Sequence, residues 1–126
     1  MEFRTPIGRV RGLGSAKEGT AHWWAQRVTA IALVPLVIWF VVSVISMVGA
    51  DLAAMKAWVG HPISAVLLVL LIAATFHHGQ LGLQVVIEDY VHTEWVKIAL
   101  LLIVKAAALI LALLGIFAVL KIAFGG

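Results

Sequence analysis

The polar residues of this chain that could do chemistry gather in one stretch that is otherwise apolar. They are His77, His78, Gln80, Gln84, Glu88, Asp89, Tyr90 and His92. Ionisable and amide side chains are costly in a segment that crosses a membrane, so each one is by default a functional hypothesis. The chemistry they offer is metal ligation by imidazole, and hydrogen bonding or proton transfer by the phenol and the carboxylates.

Helical spacing around His78 favours a flat, bulky ligand. Gly82 and Ala74 stand one turn after and one turn before it, and small residues there leave room beside the imidazole. Haem iron commonly takes an axial histidine, and a second ligand would have to come from a partner chain. His77 points about 100° away and cannot face the same ligand. The alternative is that His78 hydrogen-bonds to a neighbouring helix.

Asp89 follows His78 by eleven residues. On a helix this spacing returns to the same face after about three turns, about 16 Å further along. With Tyr90 beside it, Asp89 would lie at the membrane–water boundary, where a phenol and a carboxylate could bond to a quinone and exchange protons with it. The alternative is a tyrosine anchor at the interface and a solvated aspartate.

Three other residues lie within or beside apolar spans. Arg27 and His22 precede the first span, and Arg27 could pair with an anionic group such as a haem propionate or with lipid phosphates. Lys105 lies within the third span, about 15 Å along a helix from Trp95. It could face a partner, pair with a buried acid or extend towards the interface.

Composition indicates an integral membrane protein. Of the 126 residues, 63% are hydrophobic and 12% are charged, against about 25% charged in a soluble domain. The chain has no cysteine, which excludes disulfides, thiolate clusters and a cysteine nucleophile. We expect one membrane domain, 1–126, without a soluble catalytic domain, and no secretory signal peptide at its start.

The fold class is predicted to be all-α, with three transmembrane helices in an antiparallel bundle. The spans are about 28–50, 62–87 and 98–120, after an N-terminal segment at 1–27. Short connections at 51–61 and 88–97 make consecutive helices antiparallel neighbours. Four tryptophans stand at predicted span ends, as an interfacial belt requires, and they are Trp23, Trp24, Trp58 and Trp95. Trp39 lies inside the first span.

The distribution of basic residues predicts the orientation. Six of them fall on the side of the N-terminus and the second connection, and they are Arg4, Arg9, Arg11, Lys17, Arg27 and Lys97. Only Lys56 and Lys121 fall on the other side. The positive-inside rule therefore puts the N-terminus and the second connection in the cytoplasm and the C-terminus outside.

The sequence resembles the hydrophobic membrane anchor of succinate dehydrogenase, the cytochrome b-type anchor of complex II. The resemblance rests on His78, Gly82, Asp89 and Tyr90, spaced as in the second helix of that family. The stretch from His22 to Ile31, with Arg27-Val-Thr-Ala, is similar to the start of the family's first helix. The number of spans and the N-terminus inside agree with the family over nearly the whole chain.

The resemblance implies a role in the complex that links the tricarboxylic acid cycle to the respiratory chain. The chain would catalyse nothing alone, and would anchor a flavoprotein subunit and an iron–sulfur subunit to a bacterial inner membrane, beside a second membrane-anchor subunit. It would share haem b with that second anchor, with His78 as an axial iron ligand and Arg27 and His22 near the propionates. Tyr90 and Asp89 would serve the ubiquinone site.

Three other interpretations remain open on the sequence. A fumarate reductase anchor would use similar helices for the reverse reaction. A small transporter subunit would use His77, His78 and Lys105 as a proton or ion path and would hold no stoichiometric haem. A purely structural assembly factor would use its histidines to bond neighbouring helices.

Overall fold

The computed structural model describes residues 17–125 of the chain, and this part contains four α-helices. They are α1 (Lys17–Ser46), α2 (Leu52–Gly60), α3 (Pro62–Tyr90) and α4 (Glu94–Ala123). No strand occurs in this part of the chain, and the all-α prediction is confirmed. The basic residues Arg4, Arg9 and Arg11 of the predicted cytoplasmic segment lie outside the described residues.

Three of these helices are long and apolar enough to cross a membrane, as predicted. The qualifying segments are Gly19–Ser46, Pro62–Tyr90 and Glu94–Ala123. At about 1.5 Å per residue each is longer than the roughly 30 Å hydrocarbon core, so its ends extend into the interfaces. Hydropathy marks only the part in lipid, whereas a helix continues through polar residues that favour it, and α3 and α4 therefore extend beyond the predicted spans. Helix α1 begins earlier than predicted but ends at Ser46, short of the predicted bound at 50, because the chain turns there and Gly49 has a positive φ of 86°.

The extension of α3 changes the setting of Asp89 and Tyr90. Both were expected just beyond the second helix, and both lie in its last turn. The connection to α4 shortens to residues 91–93. The two side chains are therefore held by helical backbone at fixed positions relative to His78.

The connection at 51–61 is not the plain link predicted from its length, because it folds as α2. The Asp51 side chain caps this helix by accepting a hydrogen bond from the Ala54 N–H at 2.8 Å. Leucine, alanine, methionine and lysine, all good helix formers, follow. The helix ends at Gly60, and Pro62 begins α3 in the first turn, where its missing N–H costs nothing.

Helix α3 is the centre of the molecule, and α1 and α4 pack along it without packing on each other. Thr29 of α1 meets His78, and Gly115 of α4 lies against Ile72. Gly60, just before α3, lies beside Ile122 near the end of α4. The contacts of α4 therefore run in the opposite direction to α3. Helix α1 does the same, because Thr29 meets His78 while Trp39 packs against the buried cluster that includes Ala65 and Leu68, and the antiparallel order is confirmed.

A small core joins α2 to the three long helices. Ala65, Leu68 and Val119 are buried there, with Trp39 and Trp58 packed against them. The Trp39 and Trp58 rings stack with centroids 5.6 Å apart. This stacking explains why Trp39 lies within α1 and not at its end: it packs against α2, which folds back against the bundle.

Most of the apolar surface is exposed. Only six hydrophobic residues among those described are buried, and side chains such as Ile31, Leu102 and Phe117 are more than 60% exposed. Lipid or another apolar protein surface must cover such faces. Since α1 and α4 do not meet, the two flanks of α3 between them stay open to a partner.

Candidate functional site

His78 lies near the middle of α3 and faces α1. Its Nδ1 is 3.1 Å from the Thr29 hydroxyl oxygen. Thr29 Oγ1 also lies 2.7 Å from the Ala25 carbonyl oxygen, to which it donates. The His78 side chain is half-buried, so one ring edge contacts the neighbouring helix while part of the ring stays accessible.

The flank of α3 beside His78 is open. A Cβ added at Gly79 or at Gly82 would meet no atom within 4 Å. The sequence predicted room at Gly82, and the geometry agrees. A porphyrin could approach this flank closely, and a histidine with one accessible ring edge is the donor that its iron takes. The residues present therefore fit a haem group.

A metal ion without a porphyrin would lack ligands at this site. Within residues 17–125, no group of three or more histidine, aspartate or glutamate side chains could hold one. A haem iron needs fewer ligands from the protein, because the porphyrin supplies four nitrogen ligands and the protein supplies only the axial ones. His78 would be one such ligand, and α3 carries no second histidine on the same face.

His22 and Arg27, expected near the propionates, stand in different surroundings on α1. His22 precedes Thr29 by seven residues, about two turns, and therefore lies on the same helical face. Its Nε2 is buried without a hydrogen-bond partner among the described residues. The Arg27 guanidinium lies over the Trp23 ring, 4.5 Å from its centroid. A buried ring nitrogen without a partner suits a hydrogen-bonding group supplied by another molecule.

Asp89 and Tyr90 are both exposed in the last turn of α3, and Tyr90 is 77% exposed. Within residues 17–125 neither side chain makes a hydrogen bond. Their neighbour Glu88 accepts one from Gln84 Nε2 at 3.1 Å, and Gln84 Oε1 accepts one from Gln80 Nε2. The phenol and the carboxylate are therefore available to a ligand or a partner subunit.

His77 belongs to a different group of residues. With Gln80 and Lys105 it lines a cavity of about 330 Å³ between α3 and α4, and His78 is not part of that lining. The transporter interpretation grouped His77, His78 and Lys105, and of these the structure brings only His77 and Lys105 to one cavity, which depends on how α4 is placed along α3. Thr29 was also missed as a site residue, because no sequence pattern pairs a hydroxyl on one helix with an imidazole on another.

Comparison with known proteins identifies the family. Residues 1–118 match the family described as succinate dehydrogenase/fumarate reductase transmembrane subunit. A succinate dehydrogenase hydrophobic membrane anchor subunit of Paracoccus denitrificans is 32% identical, over 94% of this chain and 98% of its own length.

Two other relatives carry similar names. The succinate dehydrogenase hydrophobic membrane anchor subunit from Rickettsia bellii is 34% identical over 82% of this chain and 83% of its own. The succinate dehydrogenase membrane anchor subunit from Reclinomonas americana is 26% identical over 74% and 80%. No solved structure matches the chain. The three apolar helices and these matches together show that the chain belongs to the family of succinate dehydrogenase/fumarate reductase transmembrane subunits.

Proposed function

We propose that this chain is the hydrophobic membrane anchor of a succinate:ubiquinone oxidoreductase, that it shares haem b with a second anchor subunit, and that it forms part of the ubiquinone site. The observation that carries the proposal is His78, held by α1 on one ring edge and flanked by open space at Gly79 and Gly82. Membership of the family of succinate dehydrogenase/fumarate reductase transmembrane subunits supports haem as the ligand at this position.

A bound haem would supply single-electron transfer. His78 would hold its iron from this chain, and the partner anchor would supply the second ligand. His22, whose buried Nε2 lacks a partner in the described chain, donates or accepts a hydrogen bond near the propionates. Arg27 adds positive charge one to two turns further along α1, which favours the anionic propionates there.

Tyr90 and Asp89 serve the quinone at the end of α3. The Tyr90 hydroxyl donates a hydrogen bond to a quinone carbonyl oxygen, and Asp89 takes protons from the cytoplasm and passes them to the ring as it is reduced. Both groups are exposed and free of internal bonds in the described chain, so no contact must break before they bind. Arrival of electrons and protons on one side of the membrane requires this end of α3 to face the cytoplasm, which agrees with the charge distribution.

The proposed function requires further subunits, because this chain cannot hold all the redox groups of such an enzyme. It contains no cysteine, so iron–sulfur clusters with thiolate ligands belong to another polypeptide. We propose a flavoprotein subunit and an iron–sulfur subunit at the cytoplasmic end, and a second three-helix anchor against the open flank of α3. The chain is then a non-catalytic, multi-pass subunit of a bacterial inner membrane complex.

The test is the dithionite-reduced minus oxidised absorption spectrum of the complex purified in detergent. We compare the wild type with His78→Ala and use His77→Ala as the matched control, since the two histidines are adjacent but have different neighbours. We expect b-type bands in the wild type and in His77→Ala, and their loss or shift in His78→Ala. A wild-type complex that is intact but shows no b-type bands would refute haem binding.

The direction of the reaction is a separate question, because the matched family includes fumarate reductase subunits. Rates of succinate oxidation and fumarate reduction, measured on one preparation with matched quinone and quinol, distinguish the two. A proton or ion transporter would instead show transport into vesicles and no stoichiometric haem.

A further inference from the structure

We infer that Thr29 positions His78 for iron: its hydroxyl oxygen accepts a hydrogen bond from Nδ1–H, which leaves Nε2 unprotonated as the ligand atom. This inference rests on the proposed function for the identity of the bound group. It concerns a residue on α1 that acts through the ligating side chain, so Thr29 is a positioning residue.

The distances around the Thr29 hydroxyl favour one placement of the protons. Thr29 has one hydroxyl proton and three acceptors within reach: the Ala25 carbonyl at 2.7 Å, the Gln26 carbonyl at 3.1 Å and His78 Nδ1 at 3.1 Å. The shortest contact is to Ala25, a bond that a threonine within a helix commonly makes to the carbonyl four residues earlier. With its proton directed along the backbone, Oγ1 offers a lone pair to the imidazole. The contact with His78 is then a bond only if Nδ1 is the donor.

The opposite arrangement is less favourable. If the Thr29 hydroxyl donated to Nδ1, the single N–H of the neutral imidazole would have to be on Nε2. A protonated Nε2 cannot bind iron. The bond to the Ala25 carbonyl would also be lost. A histidine that binds a metal almost always donates its other ring N–H to an oxygen acceptor, which fixes the tautomer and raises the basicity of the ligand. Thr29 supplies that acceptor.

The same contact distinguishes His78 from His77. Among the described residues, no hydrogen bond holds the His77 ring, and its side chain is exposed and borders the cavity with Lys105. Two adjacent histidines are therefore unequal as ligands, because only one has its tautomer and ring orientation set by a neighbouring helix. Of the two histidines, His78 is therefore the one that the fold orients for binding iron.

The experiment uses the complete complex with Thr29→Val, Thr29→Ser and the wild type. Valine keeps the shape and removes the oxygen, whereas serine keeps the oxygen. Thr20→Val is the matched control, because Thr20 is an exposed threonine on the same helix. The readouts are the midpoint potential of the b-type bands in a redox titration and the electron paramagnetic resonance g-values of the ferric haem.

We expect Thr29→Val to raise the midpoint potential, since a less basic imidazole stabilises ferric iron less. The expected change is about tenfold in the ferric–ferrous equilibrium, which is about 59 mV for one electron. Thr29→Ser and Thr20→Val should stay close to the wild type. Unchanged potential and g-values in Thr29→Val, in a complex that holds haem, would overturn the role of Thr29 and leave the proposed function intact.

A second readout does not depend on haem content. Nitrogen-15 NMR of the reduced complex, with this chain labelled at histidine and the His78 signal identified by its loss in His78→Gln, reports the protonated nitrogen directly. We expect protonated, hydrogen-bonded Nδ1 in the wild type and a changed Nδ1 signal in Thr29→Val. A wild-type His78 protonated at Nε2 would overturn the inference, even if the complex lacked haem and the proposed function had failed.

Discussion

Two adjacent histidines show how much the surroundings of a residue decide its chemistry. His77 and His78 have the same side chain and differ by about 100° around α3. One borders a cavity with Lys105, and the other contacts the Thr29 hydroxyl beside an open flank. The function proposed for His78 therefore comes from its direction, which the contact with α1 fixes.

The quinone role is tested at a single atom by Tyr90→Phe, which removes the phenol oxygen and keeps the ring. We expect kcat/KM for ubiquinone to fall by about tenfold, since the loss of a hydrogen bond of about 1.4 kcal/mol weakens binding by that factor. The measurement is steady-state quinone reduction by the complex.

The control for Tyr90→Phe is succinate oxidation with a water-soluble electron acceptor, which bypasses the membrane subunits and should not change. If Tyr90 were only an interfacial anchor, phenylalanine would replace it with little effect. Unchanged quinone reduction would therefore remove Tyr90 from the quinone site, and Asp89→Asn would become the next variant to measure.

At the scale of the helix, α3 is the element that carries function, and the glycines around it divide into two kinds. Gly79 and Gly82 face open space, whereas Gly115 of α4 is packed against α3. A Cβ at Gly115 would lie 3.3 Å from two carbons of Ile72. The first kind leaves room for a ligand, and the second kind lets two helices approach closely.

A matched pair of substitutions separates these two uses of glycine. Gly82→Leu adds a side chain where the chain itself has no neighbour, so we expect an assembled complex with reduced haem content. Gly115→Leu forces a side chain into Ile72, so we expect the helix pair to lose about 1–3 kcal/mol of stability and the haem content per assembled complex to stay unchanged.

The measurements for this pair are haem per mole of purified complex and the thermal unfolding midpoint. Full haem content in Gly82→Leu would contradict a ligand on this flank of α3. A Gly115→Leu complex as stable as the wild type would show that α3 and α4 can separate at that point without cost.

At the scale of the molecule, the described chain is an open assembly of helices and not a closed bundle. Helix α3 has neighbours on two sides, α1 and α4 do not meet, and most large apolar side chains are exposed. Such a surface is stable in lipid and against other membrane helices. The form of the molecule therefore agrees with a polypeptide that is completed by partners.

The orientation can be tested because the chain has no cysteine. Single-cysteine variants Ala53→Cys in α2 and Thr93→Cys between α3 and α4 place exposed thiols in the two connections. A membrane-impermeant thiol reagent added to intact cells should label Ala53→Cys and leave Thr93→Cys unlabelled until the cells are opened.

If only Thr93→Cys were labelled in intact cells, the orientation would be the opposite of the one predicted. It would put Tyr90 and Asp89 on the outer side and contradict a quinone site fed from the cytoplasm. A cysteine at Gly125, just past the end of α4, provides a control, since it should behave as Ala53→Cys does.

The sequence by itself determined the class of the protein and its spans. Low charge and three long apolar stretches leave helices as the only way to satisfy the backbone in lipid, so the all-α prediction required no tertiary information. Spacing along one helix likewise placed Gly82 and Asp89 on the side of His78, because helical geometry is local. The family followed from the same residues.

Only the tertiary structure decided what meets across helices. The hydrogen bond between Thr29 and His78, the cavity shared by His77 and Lys105, and the stack of Trp39 on Trp58 each join residues from different elements. Their pairing depends on the rotation and axial offset of one helix against another, which are fixed by packing. The length of the connection at 51–61 did not show whether it was a loop or a short helix. The structure shows α2 there, with Asp51 as its N-terminal cap.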